Sequence, residues 1–299
     1  MSQMTLYSYV VFNTLVESES FIKASDVLQL TPSAISHMIM KMENEFGYKL
    51  IIRDRRGARL TENGKLLLPH IRNLLNCNNA LEQEISNIKN IDSGVVRVGS
   101  FYSVTAYWLP KIITTFNQLY PNIKIVVLQS GDMEIKHWIN NGDVDLAFAS
   151  KGFVDDFDSF IPLHNSPLVC VTPIGYKPPN GVSMSVEDLK QLPLIFQLAG
   201  YDTEISAFLK RNNLPLESNY RVETDDAVFA LVEAGLGCAI SPNMTVLGNN
   251  RQLNIYPLFP TTYRTVGLAT IYPQLMAPAT KLLRQHILRF MEDAGLMNV

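Results

Sequence analysis

Cysteine is scarce: the 299 residues hold three, Cys77, Cys170 and Cys238. Far apart and odd in number, they exclude a disulfide framework and any cysteine-based zinc spacing, and they fit a reducing cytoplasm. The five histidines (His37, His70, His137, His164, His286) share no metal-ligand spacing either, so neither a metal nor another cofactor is expected. Long apolar runs are missing, none approaching the roughly 18 residues of a membrane span, which leaves no membrane partner. The opening residues, Met1-Ser2-Gln3-Met4-Thr5-Leu6, lack the basic segment and apolar stretch of a secretory leader. Catalytic signatures are absent as well. There is no Gly-x-Ser-x-Gly, His-Glu-x-x-His, phosphate loop or Cys-x-x-Cys, and Gly235-Leu236-Gly237 lacks the third glycine of a dinucleotide fingerprint. An enzyme is therefore not expected. Nor is there an excess of charge: the formal net charge of −3 and a pI near 6.0 argue, taken alone, against a nucleic-acid partner.

The residues present alter that last inference. Length alone suits two or three domains of roughly 100–200 residues, and the charge is unevenly shared between them. Residues 1–65 carry eight basic and seven acidic side chains, leaving 17 and 21 for the remainder, so +1 stands against −4. Within residues 49–59, Lys49, Arg53, Arg55, Arg56 and Arg59 face only Asp54. Such a patch suits an anionic partner, although a short solvated loop has the same composition.

Periodicity divides the chain. Apolar residues at helical spacing (Leu6, Val10, Phe12, Leu15, Val16) predict a first helix, and Ser20–Leu28 a second. A third opens at Thr31-Pro32-Ser33, with Thr31 as N-cap and proline at the first helical position, and stops at Gly47. Residues 50–61 suit a hairpin around Arg55-Arg56-Gly57. From Thr61 a long helix to about Asn90 carries a Leu/Ile stripe that fits either pairing of two subunits or burial within one; Asp92-Ser93-Gly94 ends it. From Val95 on, β-rich runs (Val95–Gly99, Ile123–Leu128, Val144–Ala149) alternate with helical stretches (about 104–119 and 132–141), the pattern of βαβ units and a parallel sheet. A second series follows, with strands at Leu168–Thr172, Leu194–Gln197, Tyr220–Glu223 and Cys238–Ser241, strands near 253–258 and 263–271, and a last helix over about 275–294. Two similar runs predict two lobes, joined near Ser166-Pro167 and again near 262–268.

Two helices, a turn and a basic hairpin form the pattern of a winged helix-turn-helix, whose second helix fits the major groove. With Ile35, Ile39 and Met42 packed inward, Ser33, Ser36, His37, Met40 and Lys41 fall on the other side. Thr31 and Pro32 start that helix, and Arg53, Arg55, Arg56 and Arg59 would reach the DNA backbone or minor groove beside it. A helical hairpin with no DNA role, its hydroxyls serving only as caps, shares this pattern. In the α/β part, ligands bind beyond the C-terminal strand ends. That rule selects Ser100, Phe101, Tyr102 and Ser103, then Gln129, Ser130 and Ser150, and in the other lobe Gln197, Tyr201, Thr203 and Glu223–Asp226. A small carboxylate held by Ser100, Ser103 and backbone N–H groups is the working expectation, while plain N-capping remains the other role for these hydroxyls. Cys170 and Cys238 lie among apolar neighbours and read as inert core thiols.

The first 64 residues resemble the LysR-type transcriptional regulators. The resemblance is carried by Leu6 and Tyr9, Ser20-Phe21, Ala24-Ser25 with Leu28, Thr31-Pro32-Ser33-Ala34-Ile35-Ser36 with Ile39, Met42-Glu43, Phe46-Gly47, Leu50, Arg53, Arg55-Arg56, and Leu60-Thr61-Glu62-Asn63-Gly64. The chain departs from the pattern with Ile51 in place of Phe, Ser25 in place of the second Ala of a pair, and His37 where Arg is frequent. These positions bear on packing and base readout. The resemblance implies an α+β multidomain protein: a winged helix-turn-helix (1–61), a long linker or dimerisation helix (62–92), and a two-lobed α/β effector domain like periplasmic binding proteins. Lobe 1 would comprise 95–165 and 269–299, and lobe 2 residues 166–268. It further implies a cytoplasmic bacterial dimer or tetramer on double-stranded promoter DNA, a small-molecule effector in the cleft between the lobes, and RNA polymerase as a partner. A solute-binding protein or enzyme built on the lobes alone is disfavoured, because a helix-turn-helix occupies the place of a leader peptide and no catalytic motif is present.

Overall fold

In the computed structural model, residues 4–54, 57–88, 93–153, 159–197 and 203–299 are described. The chain forms two compact units, one of Met1–Asn90 with Asn140–Asp143, the other of Ile91–Ile139 with Val144–Val299. The first contains α1 (Leu6–Ser18), α2 (Phe21–Leu28), α3 (Pro32–Phe46), the antiparallel pair β1 (Ile51–Asp54) and β2 (Gly57–Leu60), and α4 (Glu62–Ile88). Ser20 Oγ accepts from Lys23 N at the start of α2, and Thr31 Oγ1 from Ala34 N at the start of α3. These bonds satisfy amide groups that the helix itself leaves without partners. At its other end α3 stops at Gly47, φ +81°. Val11, Phe12, Leu15, Ile35, Ile39, Met42 and Leu50 are fully buried in one cluster, each contributing about 1.5–3 kcal/mol by leaving water.

The hairpin docks by its second strand. Ala58 N donates to Glu19 O (2.8 Å), and a Cβ on Gly57 would lie 2.3 Å from that same carbonyl. Gly57 also has φ +125°, so both space and backbone require glycine here. Thr61 caps α4, its Oγ1 accepting from Gly64 N (3.0 Å) while donating to Lys49 O (2.7 Å). Along α4 the apolar stripe splits in two. Leu68 and Ile71 are buried in the first unit's core, whereas Leu66, Leu74, Leu81, Ile85 and Ile88 are exposed.

The second unit begins with β3 (Gly94–Ser100), α5 (Tyr102–Tyr107), α6 (Leu109–Leu119), β4 (Ile123–Gln129), α7 (Asp132–Asn141) and β5 (Leu146–Ser150). The expected single helix over 104–119 is two helices, broken at Trp108 just before Pro110, which cannot continue the amide ladder. Next come β6 (Ser159–Pro173), β7 (Met184–Ser185), α8 (Val186–Lys190), β8 (Phe196–Gln197), α9 (Thr203–Arg211), β9 (Arg221–Val222), α10 (Asp225–Glu233), β10 (Ala239–Pro242) and α11 (Asn243–Val246). The chain closes with β11 (Leu253–Phe259), β12 (Tyr263–Thr270) and α12 (Pro278–Asp293).

The sheet order is β4-β3-β5-β12-β6-β11-β7, with β10 also on β6 and β8-β9 forming a separate pair. β3, β4 and β5 make the expected parallel arrangement, and β8–β9 and β7–β11 are parallel pairs as well, but β12 is antiparallel to β5 and β6, and β10 and β11 are antiparallel to β6. The sheet is therefore mixed. Strand β6 starts nine residues before the expected Leu168 and runs unbroken through Pro162 and Pro167. Its first half pairs with β12 and its second with β10 and β11, so this one strand belongs to both lobes. In lobe 1, Val98, Ile112, Phe116 and Phe148 pack with Leu283, Ile287 and Met291 of α12. In lobe 2, Leu168 and Cys170 of β6 face one core cluster and Val169 and Val171 another, with period 2.

Candidate DNA-binding face and ligand cavity

On α3, Ser33, His37, Met40 and Lys41 are exposed and Ser36 half-buried, while Ile35, Ile39, Met42 and Glu43 are buried. Thr31 and Pro32 are exposed at its start, and the Thr31 and Ser33 hydroxyls bond each other at 3.0 Å. Arg59 is exposed on β2; Arg55 and Arg56 lie outside the described residues. Arg53 is held by its own unit rather than pointing freely outward. Its Nη1 donates to Ser36 Oγ (2.7 Å), its Nη2 to Ser36 O (3.4 Å), and its guanidinium sits 4.5 Å over the Phe21 ring. The wing is thus tied to the exposed helix by the same residue that was expected to meet phosphate.

Glu43 is the residue that the charge arithmetic undervalued. Buried under the end of α3, it accepts from Leu50 N (3.0 Å), Ile51 N (3.2 Å) and Lys49 Nζ (2.6 Å). Burial pushes its carboxyl up, but the Lys49 bond and the two amides together outweigh this and hold it below the usual range. It fixes where β1 leaves α3, and so the position of the wing.

In the second unit, a cavity of about 550 Å³ lies between the lobes. Lobe 1 supplies Phe101, Tyr102, Ser103, Gln129, Ser130 and Gly131; lobe 2 supplies Gln197 and Glu223–Asp226; Pro242, Thr245 and Arg264 complete the wall. Six expected ligand residues (Phe101, Tyr102, Ser103, Gln129, Ser130, Gln197) therefore meet in one place. Two others do not line it. Ser100 is fully buried with its hydroxyl bonded to Thr105, and the fully buried Ser150 donates to both carboxylate oxygens of Asp132 (3.1 Å each). Both hydroxyls are bonded within the protein at the strand ends rather than lining this cavity. Tyr201 and the Thr203 side chain fall outside the described residues.

Arg264 was not foreseen. It is 4% exposed, donates from Nη2 to Ser103 Oγ (2.8 Å), and stacks at 4.3 Å over Phe101. The rule of C-terminal strand ends overlooks it because β12 runs antiparallel and offers its N-terminal end here. A signal existed: Arg264, Val266 and Leu268 alternate on one buried face of a strand, and a cation in such a register requires a built environment. Three carboxylates share the wall, and Arg251 already binds one of them, Asp226 (2.9 Å). Beside the cavity, Tyr107 meets Tyr102 edge-on (6.3 Å) and donates to Thr245 O (3.4 Å). Burial, then Tyr102 and Asp225, push the Tyr107 phenol up. Among the described residues no three His, Cys, Asp or Glu side chains could hold a metal, and no helix is long and apolar enough to cross a membrane. Cys170 and Cys238 are buried, and their mutual hydrogen bond followed by burial raises the Cys170 thiol well above its ordinary value.

Two family profiles match: "LysR substrate binding domain" over residues 89–292 and "Bacterial regulatory helix-turn-helix protein, lysR family" over residues 6–65. The chain is 30% identical over 269 residues (89% of this chain, 91% of the relative) to the uncharacterized HTH-type transcriptional regulator YvbU of Bacillus subtilis (strain 168). Its fold is similar to that of a full-length OxyR variant from Pseudomonas aeruginosa, with TM-score 0.80, 19% identity, and 96% and 95% of the two chains covered. It is also similar to the effector binding domain of QuiR in complex with shikimate, with TM-score 0.60, 22% identity, and 67% and 98% covered.

Proposed function

The chain belongs to the LysR family of bacterial transcriptional regulators, and from that premise we propose that it binds promoter DNA and answers to a small carboxylate held beside Arg264. The DNA face comprises Ser33, Ser36, His37, Met40 and Lys41 of α3, with Arg55, Arg56 and Arg59 on the DNA backbone. Arg53 acts by positioning Ser36. The exposed Leu/Ile stripe of α4 pairs two subunits, giving a dimer or a tetramer that faces two half-sites and engages RNA polymerase in the cytoplasm. The functional division follows as residues 1–61 for DNA, 62–92 for pairing, and 95–165 with 269–299 and 166–268 for the two lobes.

One observation carries the ligand class. The Arg264 guanidinium is already desolvated, stacked and oriented by Ser103 at 2.8 Å, so an arriving carboxylate need not pay again for ordering it. Glu223, Asp225 and Gln129 on the same wall favour hydroxyl or ammonium groups elsewhere on the ligand. Shikimate, which the structurally similar QuiR domain holds, is a hydroxylated carboxylate of this kind. Closure of the lobes on such a molecule would change the angle or spacing of paired α3 helices.

A thermal-shift panel of hydroxy- and amino-carboxylates tests the reading. A true effector at 100 times its dissociation constant adds about 2.7 kcal/mol, and Arg264→Gln should remove that gain. A carboxylate stabilising both proteins equally would refute the role of Arg264. Separately, binding to DNA from its own upstream region should weaken with salt at a log–log slope of several units; a salt-independent interaction would count against the DNA face.

A further inference from the structure

Lobe 2 contains a second cavity, of about 270 Å³, that the effector reading does not use. Ile195, Ile205, Leu209, Val228, Phe229 and Ile240 form its walls. They come from both core clusters of the lobe, so the cavity lies where the two clusters fail to close on each other, alongside β8 and β9. Protein interiors pack densely and rarely leave apolar room larger than a water molecule. An engineered apolar cavity of about 150 Å³ already accepts benzene, and this one is larger. The cavity opens to solvent, and Ser206 and Ser241 also line it, but most of its wall is apolar, and there a planar ring would supply the dispersion contacts that the facing side chains cannot give one another.

The lining is not neutral. Lys210 and Arg221, both exposed, stand among the lining residues against the single carboxylate of Asp225. Gln197 and Asp225 line this cavity and the cleft between the lobes alike, so a change at either side chain is felt in both.

We infer that lobe 2 carries a separate binding site for a ring-sized aromatic molecule with an acidic substituent, the ring seated among Leu209, Val228 and Phe229 and the acid directed to Lys210 and Arg221. Because two side chains are shared, its occupancy alters affinity in the cleft, and the reverse holds by linkage.

The test uses the full-length protein and fluorine NMR with 4-fluorophenylacetate and 4-fluorobenzylamine as probes. The acid should bind saturably with one site per chain, and the amine at least about tenfold more weakly, a difference of about 1.4 kcal/mol. Val228→Phe and Ile205→Trp each fill the cavity and should each weaken the acid at least about tenfold; two variants are used because either alone could unfold the lobe, which circular dichroism reports. A crystal soaked with 4-bromophenylacetate should show bromine against Phe229. Equal binding of acid and amine, unchanged affinity in both folded variants, or bromine in the cleft instead would each overturn the inference.

Discussion

Replacing Glu43 offers the sharpest check on the DNA-binding unit, because its cost can be worked from three bonds. The carboxylate accepts from two buried backbone amides and from Lys49. Glu43→Ala strands Leu50 N and Ile51 N in a place that water does not reach. At about 1–3 kcal/mol for each buried donor left unsatisfied, the loss is about 4 kcal/mol, a large part of a small domain's total stability. Glu43→Gln keeps one carbonyl oxygen for the amides but gives up the charge, so it should cost about 1–2 kcal/mol, since Lys49 is largely exposed and its ion pair is worth little. Both tryptophans, Trp108 and Trp138, lie in the second unit, which makes the assay self-controlled. Urea melts of the full chain followed at 222 nm should lose their first-unit transition early in Glu43→Ala, while tryptophan fluorescence stays unchanged. The pH dependence follows from the sign of the shift. Folding holds this carboxyl below its ordinary value, so its contribution is fully present above the unfolded-state pKa of about 4.3. It disappears as pH falls through the lower folded value, and the gap between wild type and Glu43→Gln should close there. A Glu43→Ala cost under about 1 kcal/mol, or a gap that persists in acid, would refute the account.

Three further outcomes are expected. Gly57→Ala places a Cβ 2.3 Å from Glu19 O at φ +125°, so it should destabilise the first unit by about 2 kcal/mol or more, read in the same melts. Ser36→Ala and Arg53→Ala break one shared bond, and their effects on DNA affinity should be non-additive by about 0.5–1.5 kcal/mol; additivity would mean that Arg53 meets DNA independently. Gly248→Ala brings a Cβ to 2.0 Å from the Tyr107 ring and should lower the tryptophan-detected melting point at a cost of about 1–3 kcal/mol, leaving the 222 nm first-unit transition in place.

The first unit was the more legible half, and the reason is local chemistry. Thr31, Pro32 and Gly47 start and stop α3 by rules acting within a few residues, and Ile35, Ile39 and Met42 declare its inner face. The β6 strand was half hidden because Ser166-Pro167 read as a joint between the lobes, whereas Pro167 pairs within the ladder opposite Tyr263. Six cavity residues followed from topology alone. Ser100 and Ser150 stand outside the cavity lining, because a hydroxyl at a strand end looks the same in sequence whether it faces a cavity or a neighbouring Thr105 or Asp132. Arg264 was invisible to that rule because its strand enters the site from the opposite direction. Net charge misled most, until it was divided by region; even then, Lys49 and Arg53 of the basic patch proved to be bound by Glu43 and by Ser36.

The strand shared by the two lobes limits how an effector can act. A pair of lobes joined by loose loops would swing open at almost no cost. Here β6 carries fifteen residues from one lobe into the other without interruption, and β12 is laddered along its first half. Such a joint would act as a torsion bar: a change in the angle between the lobes would wind or unwind a hydrogen-bonded ribbon. On the proposed reading, a carboxylate in the cleft would have to do elastic work, and the response would be graded by how much twist its contacts could sustain.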